Sequence, residues 1–208
     1  LMVYVGRAEL FGGGQMAAVA EAEGGLVYSE ADSLANNMDT VLLLEQERWE
    51  QLDEEERLAV LEVICNIEGR YLGLNKRVVL MASTEMAADT KGAYSNMLSL
   101  IRINRDCLME DISEKTVNTV CHEMFHAAQH QYVDIYNSLS PADRECYFLQ
   151  EAAVYAAEFD NYQSTITGSD YEDYYTQAVE KAARRYAISA TDEYFEAIGK
   201  YYESMAEE

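Results

Sequence analysis

Basic residues are scarce in this chain, which has 15 Lys and Arg against 38 Asp and Glu and a formal net charge of −23 at pH 7. A surface with this excess of negative charge repels the phosphates of DNA and RNA and the headgroups of anionic lipids. We therefore expect no nucleic-acid partner. The same charge favours basic or neutral partners and opposes aggregation.

Long apolar runs are also missing. A helix that crosses a bilayer needs about 20 consecutive apolar residues, and no such run occurs, so we expect no membrane-spanning segment in this chain. Proline is nearly absent, since Pro141 is the single one, and no Pro-rich linker divides the 208 residues. We expect an N-terminal segment of uncertain structure over residues 1–30, where glycine clusters interrupt any long element, and a single domain over residues 31–208.

The cysteines lack the spacing of a metal-binding pair. None of the four (Cys65, Cys107, Cys121 and Cys146) forms a Cys-x-x-Cys motif, so a cysteine zinc site is not expected. Cys65 and Cys121 fall within apolar helical patterns, which favours buried free thiols over disulfides. The cysteines do not identify the compartment; a secreted or cell-surface location is expected ahead of a cytoplasmic one.

In the first half of the chain, apolar periodicity predicts two helices and then two strands. One helix follows Asp32, and Asp53 is a suitable N-cap for the second. Short strands are predicted over Arg77–Met81 and Tyr94–Asn104, with a turn at residues 90–92 that lets them pair as neighbours.

The second half is predicted to be helical. Ser113 is the expected N-cap of a helix that runs to about Leu139, and Ser140-Pro141 starts another that runs to about Gln163. Two more helices are expected, one after Ser169 or Asp170 and one after Thr191. The predicted fold class is α+β, mostly helical, with a small sheet.

All three histidines of the chain lie within ten residues, Cys121–His130. His122 and His126 are four apart and therefore share one face of a helix. Both imidazoles can then reach one Zn²⁺ ion at about 2.0–2.1 Å. Glu123, which follows the first histidine, can lie beside the ion and accept a proton from water. This HExxH spacing indicates the metal site of a zinc hydrolase.

A catalytic zinc site needs a third protein ligand and one open position. His130 lies about 12 Å along the helix axis from His122, too far to bind the same ion, and we expect it at the surface or beside the ligands. A carboxylate from the next helix is the natural third ligand. We choose Glu151, because the chain has room to turn before it and its helix is rich in alanine, which permits close packing. Glu158, about two turns further on, and Glu145 are the alternatives.

A HExxH helix followed by a glutamate ligand on the next helix resembles the gluzincin branch of the zincin metallopeptidases, over about Arg77 to Tyr162. The segments Asn66–Leu74 (NIEGRYLGL) and Cys121–His130 (CHEMFHAAQH) are also similar to those of an uncharacterised bacterial family of zinc metallopeptidases. The resemblance implies a zincin-like fold, a Zn²⁺ cofactor and a peptide or protein substrate.

The resemblance also implies an edge strand that binds extended peptide, and Tyr94–Asn104 stands where that strand should be. One position departs from the family pattern: the acid expected four residues after the ligand glutamate is here Tyr155. We expect Glu123 to act as general base and Tyr155, or another downstream tyrosine, to stabilise the oxyanion.

Two other functions are left open. One is a zinc hydrolase that acts on a non-peptide amide. The other is a catalytically inactive zincin-fold module that binds a partner protein through its tyrosine-rich C-terminal part, although such a module has no need of Glu123. Tyrosines are common at interfaces, but their plainer interpretation here is packing of the last helices on the domain. The tyrosines concerned are Tyr171, Tyr174, Tyr175, Tyr186, Tyr194, Tyr201 and Tyr202.

Overall fold

The computed structural model describes residues 27–145, 149–164 and 170–206. These ranges are mostly helical and contain one three-stranded sheet, which confirms the predicted α+β class. The helices are α1 (Met38–Val41), α2 (Gln46–Trp49), α3 (Glu54–Tyr71), α4 (Arg105–Glu110), α5 (Ser113–Ser138), α6 (Gln150–Asp160), α7 (Tyr171–Thr176) and α8 (Ala178–Ala206). The strands are β1 (Val79–Ser83), β2 (Gly92–Ser95) and β3 (Leu100–Asn104).

The strand predicted over Tyr94–Asn104 is in fact a hairpin. β2 and β3 pair antiparallel, with Tyr94 opposite Ile101, and the turn between them places Ser99 at a φ of +48°. β1 pairs with β3 in parallel, so β3 is the central strand and β2 is an edge. Strand β2 is also the one that packs most closely on α5. The candidate peptide-binding edge is therefore Gly92–Ser95.

Helix α3 begins as the sequence predicts. The Asp53 carboxylate accepts from the Glu56 backbone N–H at 2.9 Å, and the Glu56 carboxylate accepts in return from the Asp53 N–H at 2.9 Å. This reciprocal capping satisfies two N–H groups that the helix itself cannot pair. Helix α5, in contrast, starts one residue early: Ile112 is its N-cap, and the Ser113 hydroxyl donates to the Leu44 carbonyl at 2.6 Å.

Side-chain hydrogen bonds to the backbone interrupt the helix predicted after Asp32. The Asn37 amide donates to the carbonyls of Ala31 and Ser33, both at 2.7 Å, so the chain forms short turns and the four-residue helices α1 and α2. The helix predicted up to Gln163 is likewise shorter, since α6 begins at Gln150 after a 3₁₀ turn at Asp143–Glu145.

The last helix is continuous, and the break predicted at Thr191 is wrong. The Thr191 hydroxyl donates to the Ala187 carbonyl at 2.7 Å, one turn back, and the side chain is buried inside the helix packing. Ala183, Ala187 and Ala190 are buried along the same face. Small side chains allow α8 to approach α5 closely, and these two helices form the most extensive helix pair of the described structure.

A buried carboxylate ties α8 to α3. Glu68 on α3 is fully buried, and the hydroxyls of Tyr186 and Tyr194 both donate to it, the latter at 2.8 Å. Two tyrosines of the C-terminal part are therefore core residues, as the plainer interpretation expected. Tyr171 and Tyr175 of the same part are exposed.

The remaining sequence predictions concern cysteines, the N-terminus and membrane helices. Cys65 and Cys121 are buried and take part in no disulfide, as predicted. Cys146 and residues 1–26 of the N-terminal segment lie outside the described residues. No helix within the described ranges is both long and apolar enough to cross a membrane.

Candidate metal centre

Two helices bring three potential metal ligands together. His122 and His126 lie one turn apart on α5, with their Nε2 atoms 3.0 Å from each other. The third residue is Glu180, in the first turn of α8. Its Oε2 is 3.3 Å from His122 Nε2, and its Oε1 is 3.3 Å from His126 Nε2. Among the described residues these three form a group that could hold a metal ion.

The spacing of this group fits a tetrahedral cation. Zinc bonds of about 2.0–2.1 Å place neighbouring ligand atoms about 3.3 Å apart, and the separations here are 3.0 and 3.3 Å. Glu180 is fully buried, and within the described residues its Oε2 has no hydrogen-bond partner. A buried, unsatisfied carboxylate oxygen is costly. A bound cation would offset that cost.

The charges of the group are strongly coupled. Burial raises the pKa of the Glu180 carboxyl, but its interactions with His122 and His126 lower that pKa by more, to well below its ordinary range. Burial lowers the pKa of His126, but Glu180 and Glu123 raise it above its usual value. A cation that binds three such groups takes the place of protons, as is general for metal sites made of histidine and carboxylate.

Gln129 determines which nitrogen of His126 faces the site. Its amide nitrogen donates to the Val179 carbonyl at 2.9 Å, so its carbonyl oxygen lies 2.7 Å from His126 Nδ1. That oxygen can only accept, and Nδ1 must therefore donate. His126 Nε2 is then the nitrogen presented to His122 and Glu180. The same amide also ties α5 to the residue that precedes Glu180.

Replacing Gln129 by leucine is expected to weaken zinc binding about 10–100-fold, because the hydrogen bond that orients a ligand histidine is lost. Competition with a chelator of known affinity measures the change. Gln131→Leu is the matched control, since Gln131 bonds the backbone of Gly73 and Asn75 on another face of α5. Equal zinc affinities for the two variants would show that Gln129 does not orient the ligand.

The structure places the predicted third ligand elsewhere. Glu151 is exposed on α6, whose buried face carries Ala152 and Tyr155, and Glu145 is exposed on the preceding turn. Neither belongs to the group that contacts the histidines. The carboxylate in that position is Glu180, which the packing of α8 on α5 brings to the histidines, so the geometry favours Glu180 over the expected Glu151.

Glu158, the first alternative named for the third ligand, contacts the start of α8 but does not belong to the group of potential ligands. Its two oxygens accept from the backbone N–H groups of Ala178 and Val179, both at 2.8 Å. These N–H groups stand at the start of α8, where the helix offers them no carbonyl. Glu158 therefore caps α8 and holds the backbone two residues before Glu180.

A sequence signal for Glu180 does exist. Counting in helical steps, Glu180 shares a stripe with Ala183, Ala187, Ala190 and Tyr194, all of which are buried. An acid on an apolar helical stripe needs a partner inside the protein. That pattern distinguishes Glu180 from most of the 38 acids of the chain.

Two tyrosines, neither of them Tyr155, contact the carboxylate of the group. The Tyr162 hydroxyl donates to Glu180 Oε1 at 2.5 Å. Tyr174 also bonds Glu180, and burial together with that carboxylate raises the pKa of both phenols. Tyr155 lies in the core beside Gln129, where burial raises its pKa to about 12.

Glu123 occupies a buried position between α5 and the edge strand β2. A Cβ atom on Gly92 would lie 3.2 Å from Glu123 Cγ and 2.7 Å from a methyl carbon of Thr119. Only glycine lets the strand approach the helix this closely. The carboxylate next to the metal ligands therefore lies against the backbone of β2.

His130 is not a member of the group, as expected from its distance along the helix. Its ring stacks on Phe159, with 4.0 Å between centroids. Burial lowers its pKa to about 4, so the ring is neutral at pH 7.

Comparisons with known proteins found no matching family model, no curated protein similar in sequence and no solved structure with a matching fold. The resemblance to gluzincins therefore stays a prediction based on motif, and a functional assignment depends on the geometry of this centre.

Proposed function

We propose that this protein is a zinc-dependent peptidase in which His122, His126 and Glu180 bind the ion and Glu123 is the general base. One observation carries the proposal. Glu180 presents one buried carboxylate oxygen to each of two histidine Nε2 atoms, the oxygen facing His122 has no hydrogen-bond partner among the described residues, and a second buried carboxylate follows the first histidine. A helix that merely carried solvated histidines would need neither feature.

Each step of the proposed peptide hydrolysis is assigned to a particular side chain. When bound, zinc would lower the pKa of a water molecule and polarise a substrate carbonyl. Glu123 accepts the proton of the attacking water and delivers it to the leaving amine. Tyr162 or Tyr174, rather than Tyr155, supplies the hydroxyl that stabilises negative charge on the carbonyl oxygen, because both hydroxyls lie at Glu180.

The outer edge of β2 is the proposed binding site for the peptide backbone. Within the described residues, strand β2 pairs with β3 along one edge only, and Gly92 brings the strand against Glu123. An extended peptide can add to an open sheet edge through main-chain hydrogen bonds. This arrangement would carry the cleaved bond past the general base.

The proposal is tested on wild-type protein purified without a histidine tag. Elemental mass spectrometry should find about one zinc per chain after reconstitution, because three potential ligands converge on one point. The zinc protein should cleave members of an unbiased peptide library, and a chelator should abolish that cleavage until zinc is restored. Absence of stoichiometric zinc, or zinc without cleavage of any peptide, would contradict the proposal.

The two other functions make different predictions in the same assay. A non-peptide amidase would bind zinc and hydrolyse small amides while leaving the peptide library intact. A binding module would use exposed aromatic residues such as Tyr171, which is 64% exposed, and would have no turnover. The buried Glu123 beside the ligands favours the peptidase over the binding module.

A further inference from the structure

A continuous row of aromatic rings borders the metal centre on one side. Tyr94 on β2 lies 5.9 Å from His130 on α5, and His130 stacks on Phe159 of α6 at 4.0 Å between centroids. Phe159 is followed by Tyr162 and then Tyr174, each 6.4 Å from the ring before it. These separations are those of contacting aromatic pairs. We call Tyr94, His130, Phe159, Tyr162 and Tyr174 the aromatic row.

The aromatic row meets groups of the proposed active site at two of its rings, Tyr94 and Tyr162. Tyr94 is two residues from Gly92, so the row starts on the strand that would hold the substrate backbone. Tyr162 donates to the Glu180 carboxylate, so the row also reaches the metal ligands. The row is not sealed inside the core, because 37% of Tyr162 is exposed. A substrate side chain that leaves the centre in this direction would meet aromatic surface.

The opposite side of the centre is polar. A cavity of about 200 Å³ lies beyond Glu123 toward the start of α5, and charged and hydroxyl side chains line most of it. These include Lys91, Lys115, Thr119, Thr191 and Asp192. The two directions along β2 therefore differ in chemistry, so the two substrate residues at the cleaved bond should be selected differently.

We propose that the substrate carries an aromatic or large aliphatic side chain next to the cleaved bond, on the side that faces the aromatic row. This inference rests on the peptidase function proposed above. Contact between such a side chain and the rings of Phe159 and Tyr162 adds binding beyond the main-chain pairing, which is common to all sequences. Among the described lining residues of the polar cavity Ile188 is the one apolar side chain, so the residue on the other side meets less apolar surface there than at the aromatic row.

Cleavage of a mixed peptide library by the zinc protein tests the inference. Phe, Tyr, Trp and Leu should be enriched at one of the two positions that flank the cleaved bond. Phe159→Ala should then lower the ratio of kcat/KM for a Phe peptide to that for its Ala analogue about threefold to tenfold. Phe195→Ala is the matched control, because Phe195 is partly buried on α8 and lies outside the row. That control should leave the ratio unchanged even if total activity falls.

The possible failures are distinguishable. Cleavage without aromatic or aliphatic enrichment would overturn this inference and leave the peptidase function standing, as would an unchanged ratio in Phe159→Ala. A wild-type zinc protein that cleaves no peptide would overturn the proposed function, and this inference with it. If Phe159→Ala does not fold, the Phe159→Leu enzyme should keep the preference for aliphatic substrate side chains and lose the preference for aromatic ones. Retention of both preferences would then overturn the inference.

Discussion

Replacing Glu180 by alanine is expected to abolish stoichiometric zinc binding, whereas replacing Glu151 by alanine should leave it intact. Glu180 faces both histidines at 3.3 Å from the last helix, while Glu151 is exposed on α6. The loss of affinity should exceed about 100-fold, which is the upper effect of removing a residue that only supports a ligand. Elemental mass spectrometry and chelator competition on both variants measure the difference.

A fold control makes this result interpretable. Removing one member of a buried charged group can destabilise the protein itself, so the circular dichroism spectrum of zinc-free Glu180→Ala must first match that of zinc-free wild type. Zinc should stabilise wild type and Glu151→Ala against heat but not Glu180→Ala, because only a ligand that binds the native state raises its stability. Zinc retained by Glu180→Ala, or lost by a folded Glu151→Ala, would refute the assignment of the third ligand.

Glu123→Gln is expected to remove turnover and keep the metal. Glutamine preserves the shape of the side chain beside Gly92 but cannot accept the proton of the attacking water. General-base catalysis contributes about 10²–10⁴-fold, and kcat/KM should fall by an amount in this range. Zinc content should stay near that of wild type, because Glu123 is not one of the three grouped ligands.

Glu62→Gln provides the control for this substitution. Glu62 is exposed in the middle of α3, lies outside the site and its cavity, and gives the same change in net charge when replaced. The kcat/KM of this variant should stay within about twofold of wild type, since surface charges away from a site contribute little. Activity retained by Glu123→Gln at the level of Glu62→Gln would refute Glu123 as general base, whatever the zinc content.

Features that depend on local helix geometry could be predicted from the sequence. A spacing of four residues places His122 and His126 on one face wherever the helix lies, because a turn takes about 3.6 residues. The cap at Asp53 is local in the same sense, since its partner Glu56 is three residues away. The exclusion of His130 from the ligand group also follows from helix rise alone.

Strand pairing was harder to predict from the sequence, because it depends on the turns between strands and on which strands are neighbours in the sheet. The residues of β2 and β3 form one apolar stretch in the sequence, and the turn that includes Ser99 divides it into a hairpin. Which strand lies at the edge then depends on β1, which pairs in parallel with β3. Local patterns do not state that order, so the sequence predicts one strand over Tyr94–Asn104 where the structure has the hairpin of β2 and β3.

The sequence by itself determined that His122 and His126 share one helix face with Glu123 beside the first, and that the fold is mostly helical, because each depends on residues close together in the chain. The tertiary structure alone decided which carboxylate faces the histidines and which tyrosines surround it. Glu180 reaches the histidines because alanines bring α8 close to α5, Gln129 bridges the two helices, and Glu158 caps the start of α8. The choice of one among many acids is thus made by long-range packing, which brings into contact residues that are distant in the chain.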